Sequence, residues 1–225
     1  MYPLPLGGIV KEWSGRKCPV EGCDFELCMY SVGQPARTFP LCPNCFNNPK
    51  PEWGDIPGED KSKLSNDPDD REDELKERQI RSVAGRSFTL ECPHPDGHPL
   101  IEELTVARGP DGNGVYTMDA HFGPKWRLCG TRDPSIIHLP KAINKITILD
   151  KCDEESGCHM MKIEYKEGGG NSGVTCFETD QALQEKSNTV HGNERTQHKG
   201  GRGRGRGGRG RGRGGGRKGR GGSRR

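Results

Sequence analysis

Two pairs of cysteines near the N-terminus constrain the fold more than any other feature of this chain. Cys18 and Cys23 have four residues between them, and a tighter pair, Cys42 and Cys45, begins nineteen residues after Cys23. Two close pairs at this separation suit one tetrahedral Zn²⁺, because each pair spans one edge of the tetrahedron while the intervening segment returns as a hairpin. A disulfide framework and four unlinked thiols are the alternatives. The spacing predicts a zinc ribbon over residues 1–49.

The composition argues against one large hydrophobic core. Of the 225 residues, 29% are hydrophobic and 6% aromatic, whereas 34 are Gly and 17 are Pro. A chain of this kind has too little apolar material to stabilise a large single domain. We therefore expect small, mainly β zinc-ribbon modules joined by a charged, partly helical linker, with a disordered Arg/Gly-rich tail.

The N-terminal sequence and the cysteine content bear on the cellular compartment. Residues 1–8 contain two prolines and have neither the basic nor the apolar region of a signal peptide. No window approaches the roughly eighteen apolar residues of a spanning helix, so we expect no membrane partner. The ten Cys residues are then expected in a reducing compartment, which again favours metal over disulfides.

Alternation of apolar and polar residues predicts short strands in two modules, residues 1–49 and 86–180. In the first module the expected strands are 8–13 and 25–31, and Cys28 in the second of these is interpreted as a buried thiol, not as a fifth ligand. In the second module a turn-rich connection at 109–114 predicts a hairpin. The strands expected in this module are 100–108, 115–121, 142–150, 160–166 and 174–178.

Residues 50–85 form a charged connection between the modules. Within it, the segment 67–81 begins with Asp67 as a cap and Pro68 at the first helical position, and its acidic residues precede its basic ones. This segment is predicted to be a short helix with a mostly solvated surface.

Further zinc ligands are hypothesised in the second module, although it contains no clean Cys-x-x-Cys pair. The candidates form two sets, Cys152, Cys158 and Cys176 with a His, and Cys92 and Cys129 with His94, His98 or His138. An isolated His is more often an ordinary packing or surface residue, which is the alternative at each position. The module is therefore predicted to be a β-rich, degenerate relative of the first ribbon.

Charge is segregated along the chain. Of the 35 Lys and Arg residues, 12 lie in residues 199–225, which contain no acid, so 23 bases remain against all 32 acids in the rest of the chain. A basic block of this kind is typical of a contact for polyanions. The acidic remainder argues against the whole surface being a nucleic-acid interface.

The tail, residues 181–225, is predicted to be disordered, with Arg-Gly repeats from residue 199. From there it contains only Gly, Arg, Lys and one Ser, so it has nothing to bury. Guanidinium groups bind phosphates and stack on unpaired bases, which favours binding of single-stranded DNA and RNA over a purely solubilising or targeting role. The predicted nucleic-acid-binding residues are Arg202, Arg204, Arg206, Arg209, Arg211, Arg213, Arg217, Lys218 and Arg220.

Several stretches together resemble one family. Residues 2–11, the Cys18-Pro19 step, residues 41–49, residues 123–129 and the closing Arg-Gly tract occur in the order found at the C-terminus of DNA topoisomerase III of the beta type. The family's later ribbons carry Cys-x-x-Cys knuckles that the second module of this chain, residues 86–180, lacks. The resemblance implies the zinc-ribbon and Arg-Gly portion of a type IA enzyme, a nuclear and also cytoplasmic isomerase that changes DNA topology by single-strand passage.

The catalytic machinery of that family is expected to lie outside this chain. The resemblance implies a Tyr nucleophile and an acidic Mg²⁺ cluster in a separate N-terminal body. The four tyrosines, Tyr2, Tyr30, Tyr116 and Tyr165, lie in ribbon or strand contexts in which no base-and-cation constellation that would activate a phenol can be identified. We therefore predict no catalytic residue here, no strand cleavage by this chain alone, and Zn²⁺ as its cofactor.

Two hypotheses for function follow. In the first, the chain is the single-stranded DNA and RNA binding region of a topoisomerase III, whose ribbons guide the strand or dock a protein partner and whose tail tethers RNA. In the alternative, it is a stand-alone zinc-ribbon and Arg-Gly adaptor that binds RNA and has no enzymatic role.

Overall fold

Strands dominate the part of the chain that the computed structural model describes, which is residues 2, 4, 5, 7–54, 91–119 and 123–192. These residues contain eleven strands in three antiparallel sheets, with a few short helices. The predicted mainly β class is thereby confirmed. The helix predicted at 67–81 and the Arg-Gly repeats from residue 199 lie outside the described residues.

The first sheet holds the N-terminal cysteine pairs. It consists of β1 (Ile9–Lys17), β2 (Glu26–Val32) and β3 (Arg37–Leu41), in that order and antiparallel. Tyr30 of β2 lies opposite Phe39 of β3, and both are fully buried. Helix α1 (Pro43–Asn47) follows β3 directly. The strands predicted at 8–13 and 25–31 are confirmed, and β1 continues four residues further to Lys17.

Residues 91–192 build the other two sheets. Their elements are α2 (Pro99–Glu102), β4 (Thr105–Arg108), β5 (Val115–Met118), β6 (Arg127–Gly130), β7 (Ser135–His138), β8 (Ile143–Cys152), β9 (His159–Tyr165), β10 (Gly173–Thr175), α3 (Gln181–Lys186) and β11 (Asn188–His191). One sheet has the order β11-β7-β6-β5-β4 and the other β10-β9-β8. The predicted hairpin connection at 109–114 joins β4 to β5, which are antiparallel.

A hydrophobic core lies between these two sheets. Val106 and Leu128 of the five-stranded sheet cluster with Ile146 and Ile163 of the three-stranded sheet, and Leu183 of α3 joins them. Alternate residues supply this layer from β5, with Tyr116 and Met118, and from β9, with Met161 and Ile163, whereas register shifts interrupt the alternation in β4 and β8.

The N-terminal sheet packs against the rest of the described chain. Tyr30 and Phe39 share a buried cluster with Cys92, Ile101 and Cys129. Arg37, which is 1% exposed, donates from Nη1 to the carbonyl oxygens of residues 130 and 133 at 2.6 and 2.5 Å. Because a buried guanidinium needs such acceptors, this contact ties β3 to the end of β6.

Two expectations about secondary structure are wrong. The strand predicted at 100–108 begins only at Thr105, because Pro99 starts α2 at a position where its missing N–H costs nothing and the His98 ring accepts from the backbone of Leu100. The disordered tail predicted from residue 181 does not begin there, since α3 is capped by Asp180 and β11 pairs with β7. Tertiary pairing orders a polar segment that has little strand signal of its own.

Candidate metal centre

Four buried cysteine sulfurs lie together beside the N-terminal sheet. The Sγ atoms of Cys18, Cys23, Cys42 and Cys45 are all within 4.8 Å of one another. The Sγ of Cys18 is 3.7 Å from that of Cys45, and the Sγ of Cys23 is 3.6 Å from that of Cys42 and 3.8 Å from that of Cys45. The structure thus brings together all four ligands that the sequence predicts for the first ribbon.

These separations match the edges of a zinc–thiolate tetrahedron. With Zn–S bonds of about 2.3 Å, the sulfurs of a tetrahedral site lie about 3.8 Å apart. A disulfide would instead bring two sulfurs to about 2.0 Å. All ten cysteines of the chain are free thiols, so the disulfide alternative does not describe this structure. The donor set fits Zn²⁺, for which four thiolates are a usual structural site.

Local backbone geometry presents the sulfurs. Cys42 is the N-cap of α1, with Pro43 at the first helical position, and its sulfur accepts the backbone N–H of Cys45 at 3.5 Å. The side-chain amide of Asn44 donates to the Sγ of Cys23 at 3.4 Å. In the first pair, the backbone N–H of Cys23 donates to the carbonyl of residue 20, which closes a tight turn. Such donors stabilise thiolate charge and orient the ligands.

An apolar shell surrounds the four sulfurs. Leu27, Trp53 and Leu100 pack in the same buried cluster as the cysteines. His94 adds one polar contact, because its Nε2 accepts the backbone N–H of Cys42 at 3.0 Å. Burial lowers the pKa of His94 well below its usual value, which keeps the ring neutral and able to accept. Sequence reasoning grouped His94 with a second zinc site and missed this role.

His98 completes the link between this site and the second half of the chain. Its ring lies 4.3 Å from the ring of His94 in a stacked arrangement and 4.4 Å from that of Trp53. Burial lowers the pKa of His98 to about 4, so this ring is also neutral. Both histidines are fully buried, which makes them packing partners of the cysteine cluster.

The thiols of the cluster differ in their affinity for protons. Hydrogen bonds from the Cys45 side chain lower the pKa of Cys42 to about 5. Burial raises the pKa of Cys18 to about 12, and the hydrogen bond to Cys42 raises that of Cys45. Without a cation, these shifts favour the thiolate form of Cys42 and the protonated forms of Cys18 and Cys45. A divalent cation would compensate the buried negative charge and displace those protons.

The structure does not gather the other cysteines in the same way. Among the described residues, no other set of three or more candidate ligand atoms lies within 4.8 Å of one another. Cys92 and Cys129 are buried in the core beside Tyr30, and burial raises the pKa of each to about 12. Zinc at these two positions stays a prediction, and packing is the role that the structure gives them.

Cys158 and Cys176 both contact Ser156. The Ser156 hydroxyl is 3.4 Å from the Sγ of Cys176, accepts the backbone N–H of Cys158 at 3.3 Å and donates to Asp153 at 2.9 Å. Cys152 is exposed, with its sulfur 3.9 Å from the Nδ1 of His159. Zinc on these three cysteines likewise stays a prediction. Cys28 does not belong to the four-sulfur cluster, but it is only half-buried on β2 and not the fully buried thiol that the sequence predicts.

The fold and site define a mainly β chain with a buried four-cysteine centre suited to a structural metal ion. In sequence, the chain is similar to DNA topoisomerase 3-beta of Arabidopsis thaliana, with 33% identity over 85% of this chain and 22% of that protein. It is also similar to DNA topoisomerase 3-beta of Drosophila melanogaster, with 29% identity over 73% of this chain and 15% of that protein. Its identity to human DNA topoisomerase 3-beta-1 is 26%, over 84% of this chain and 19% of that protein.

The chain therefore belongs to the DNA topoisomerase III beta family and spans about a fifth of the length of the curated relatives it matches. No family model and no solved structure matches it. None of the described helices is long and apolar enough to span a bilayer. The arginines predicted to bind nucleic acid, Arg202 to Arg220, lie outside the described residues.

Proposed function

We propose that this chain is a zinc-ribbon and Arg-Gly portion of a topoisomerase III, corresponding to the C-terminal region of its relatives, and that it binds single-stranded DNA and RNA for the parent enzyme. The four-sulfur cluster at tetrahedral spacing is the observation that carries the zinc assignment. The relation to topoisomerase 3-beta and the basic tail support the nucleic-acid assignment.

Zinc has a structural role in this proposal. Four buried cysteine sulfurs would fill all four positions of a tetrahedral zinc ion, so no position would remain open for the water or substrate that a catalytic zinc requires. The ion would hold the 18–23 turn against α1, and through the Cys42 backbone it would fix the position of His94. The folded part of the chain, which comprises the described residues up to 192 and is called the head below, would then be stabilised by the ion.

The tail supplies the electrostatic part of binding. Its ten Arg and two Lys residues in 199–225 carry enough charge to neutralise about ten phosphates. Binding without base contacts gives little sequence preference, which suits a protein that must follow a displaced strand. Protein partners of the ribbon and a nuclear or cytoplasmic location are further parts of the proposal.

Strand cleavage is assigned to the parent enzyme and not to this chain. Burial raises the pKa of Tyr30 to about 12, which is the opposite of activation. The Tyr116 hydroxyl is 2.5 Å from that of Ser135 inside the core. We expect no relaxation of supercoiled DNA by the purified chain with Mg²⁺, and relaxation would refute this assignment.

Metal analysis and a binding assay test the two halves of the proposal separately. We expect at least one zinc per purified wild-type chain and one fewer in C42S/C45S, with C28S as the matched control because Cys28 lies outside the cluster. An equal zinc content in C42S/C45S and the wild type, or a wild type without zinc, would contradict the metal assignment.

The binding assay compares the whole chain with a version lacking 199–225 on single-stranded RNA and DNA. Neutralising about ten phosphates predicts a slope of log K against log salt of about −7, which the deletion should largely remove. A variant with every tail Arg changed to Lys keeps the charge and serves as control. Equal binding by deleted and complete chains would refute the role of the tail. If the genomic sequence upstream of Met1 encodes no topoisomerase body, the adaptor hypothesis is favoured instead.

A further inference from the structure

A basic, aromatic cavity lies on the side of the molecule formed by the second half of the chain. Its volume is about 500 Å³, which is within the range of ligand sites. Four lysines line it, together with His138 and the indole of Trp126; the lysines are Lys125, Lys141, Lys166 and Lys186. None of the described residues that line the cavity is acidic.

The fold gathers these lysines from four separate segments. Lys125 precedes β6, Lys141 follows β7, Lys166 follows β9 and Lys186 ends α3. Outside residues 199–225 the chain has 23 bases against 32 acids, so four lysines without an acid around one cavity depart from the general charge balance. The sequence gives no hint of this grouping, because the four positions have no common spacing.

Trp126 is held in place at the cavity. Its ring packs against the core between the two sheets, and its Nε1 donates to the carbonyl of Asn144 at 3.3 Å. Trp126 is only partly buried and is one of the residues that line the cavity. A fixed aromatic ring loses little conformational entropy when a flat ligand stacks on it.

An aromatic surface bordered by cations recognises an unpaired base and its flanking phosphates. Any base can stack on the indole, while ammonium groups on mobile side chains reach phosphate oxygens as point charges. A double helix keeps its bases stacked inside and cannot place one in the cavity without unpairing it. An acidic peptide could satisfy the lysines but would leave the indole without a flat partner.

We propose that this cavity is a binding site for a single-stranded polynucleotide, with one base stacked on Trp126 and neighbouring phosphates bound by Lys125, Lys141 and Lys186. The site rests on the proposed function, because it adds a base-binding point on the folded head to the electrostatic binding by the tail. A strand bound at both places gains affinity through linked sites.

The first test changes charge without changing the core. In the complete chain, K125Q/K141Q/K186Q should weaken binding of a ten-residue oligothymidylate and oligouridylate about tenfold, and should make the salt slope shallower by about 2, as expected for three lost phosphate contacts to a single strand. The control K17Q/K151Q/K162Q removes the same charge from exposed lysines outside the cavity and should change affinity less than about twofold. Equal losses in the two triple variants would overturn the site.

The second test isolates stacking. W126L keeps an apolar side chain but removes the ring, and W126F restores a ring in the same place. An oligonucleotide with abasic sites should bind the wild type at least about fivefold more weakly than the intact oligonucleotide. This difference in affinity should disappear in W126L and be mostly recovered in W126F. An unchanged difference in W126L would overturn the stacking assignment.

The outcomes separate this inference from the proposed function. If the wild type binds neither oligonucleotide, both fail. If the wild type binds and every cavity variant binds equally well, the tail accounts for binding and only the cavity site fails. The inference is wrong if K125Q/K141Q/K186Q weakens binding of a polyglutamate peptide but leaves oligonucleotide affinity unchanged. The cavity would then bind an acidic protein segment.

Discussion

Removing two zinc ligands should lower the stability of the head through loss of bound metal, and the structure offers a substitution that isolates this effect. In C42S/C45S, a hydroxyl at position 42 can still cap α1, because Ser is among the best N-cap residues. The backbone contact of Cys42 with His94 does not involve the sulfur and remains available. The main change is therefore the loss of two thiolates from a set of four.

The size of the effect follows from linkage. A ligand that binds only the folded state at a free concentration of a thousand times its Kd stabilises that state by about 4 kcal/mol. For a folded unit of this size each kcal/mol changes the Tm by about 2–4 °C. Loss of zinc should then lower the Tm by about 8–16 °C. Because the stabilisation grows logarithmically, each tenfold increase in free zinc should raise the wild-type Tm by about 3–6 °C.

Thermal unfolding followed by circular dichroism in zinc-buffered solutions measures both quantities. C28S provides the control, since it removes a thiol from β2 outside the cluster and should keep the zinc dependence of the wild type. A double variant that melts within about 2 °C of the wild type, or whose Tm still rises with zinc, would refute the claim that these sulfurs bind the metal.

Three further predictions concern the surroundings of the site. Zinc binding at neutral pH should release at least two protons, from Cys18 and Cys45, whose pKa values are raised in the metal-free protein, as measured by titration in buffers of different ionisation enthalpy. Zinc affinity, measured by chelator competition at several pH values, should therefore rise at least about 100-fold per pH unit near neutrality. H94L removes the acceptor for the Cys42 N–H and should weaken zinc about 10–100-fold, with a smaller loss in H94Q, measured by chelator competition. R37M should lower the free energy of unfolding by about 2–4 kcal/mol in denaturant titrations, because two buried carbonyls lose their donor.

The parts of the structure that the sequence predicts are those fixed by local chemistry. The spacing of Cys18, Cys23, Cys42 and Cys45 identifies the cluster because ligand geometry leaves few ways to place two close pairs. The hairpin at 109–114 follows in the same way from its turn residues. Both signals depend on residues that are near one another in the chain.

What the sequence does not predict depends on distant partners. Strand β11 consists of mostly exposed residues, of which only Val190 is apolar and half-buried. It forms because β7 offers an edge with which it can pair, and no local pattern encodes this pairing. His94 looks like a candidate ligand beside Cys92, yet the fold turns its ring toward the Cys42 backbone. The lysines of the cavity come from four segments and could be grouped only in three dimensions.

The zinc centre and the second half of the chain are coupled because hydrogen bonds and common hydrophobic clusters join them. The N–H of Cys42 donates to His94, and the side chain of Arg37 reaches the end of β6, whose first residues follow directly on Trp126. Loss of metal should therefore disturb more than the first 49 residues. We therefore expect that removal of zinc weakens oligonucleotide binding by a chain whose tail is intact. Binding by the tail alone is electrostatic and should not depend on zinc. A metal-dependent component of binding would thus identify the contribution of the folded head.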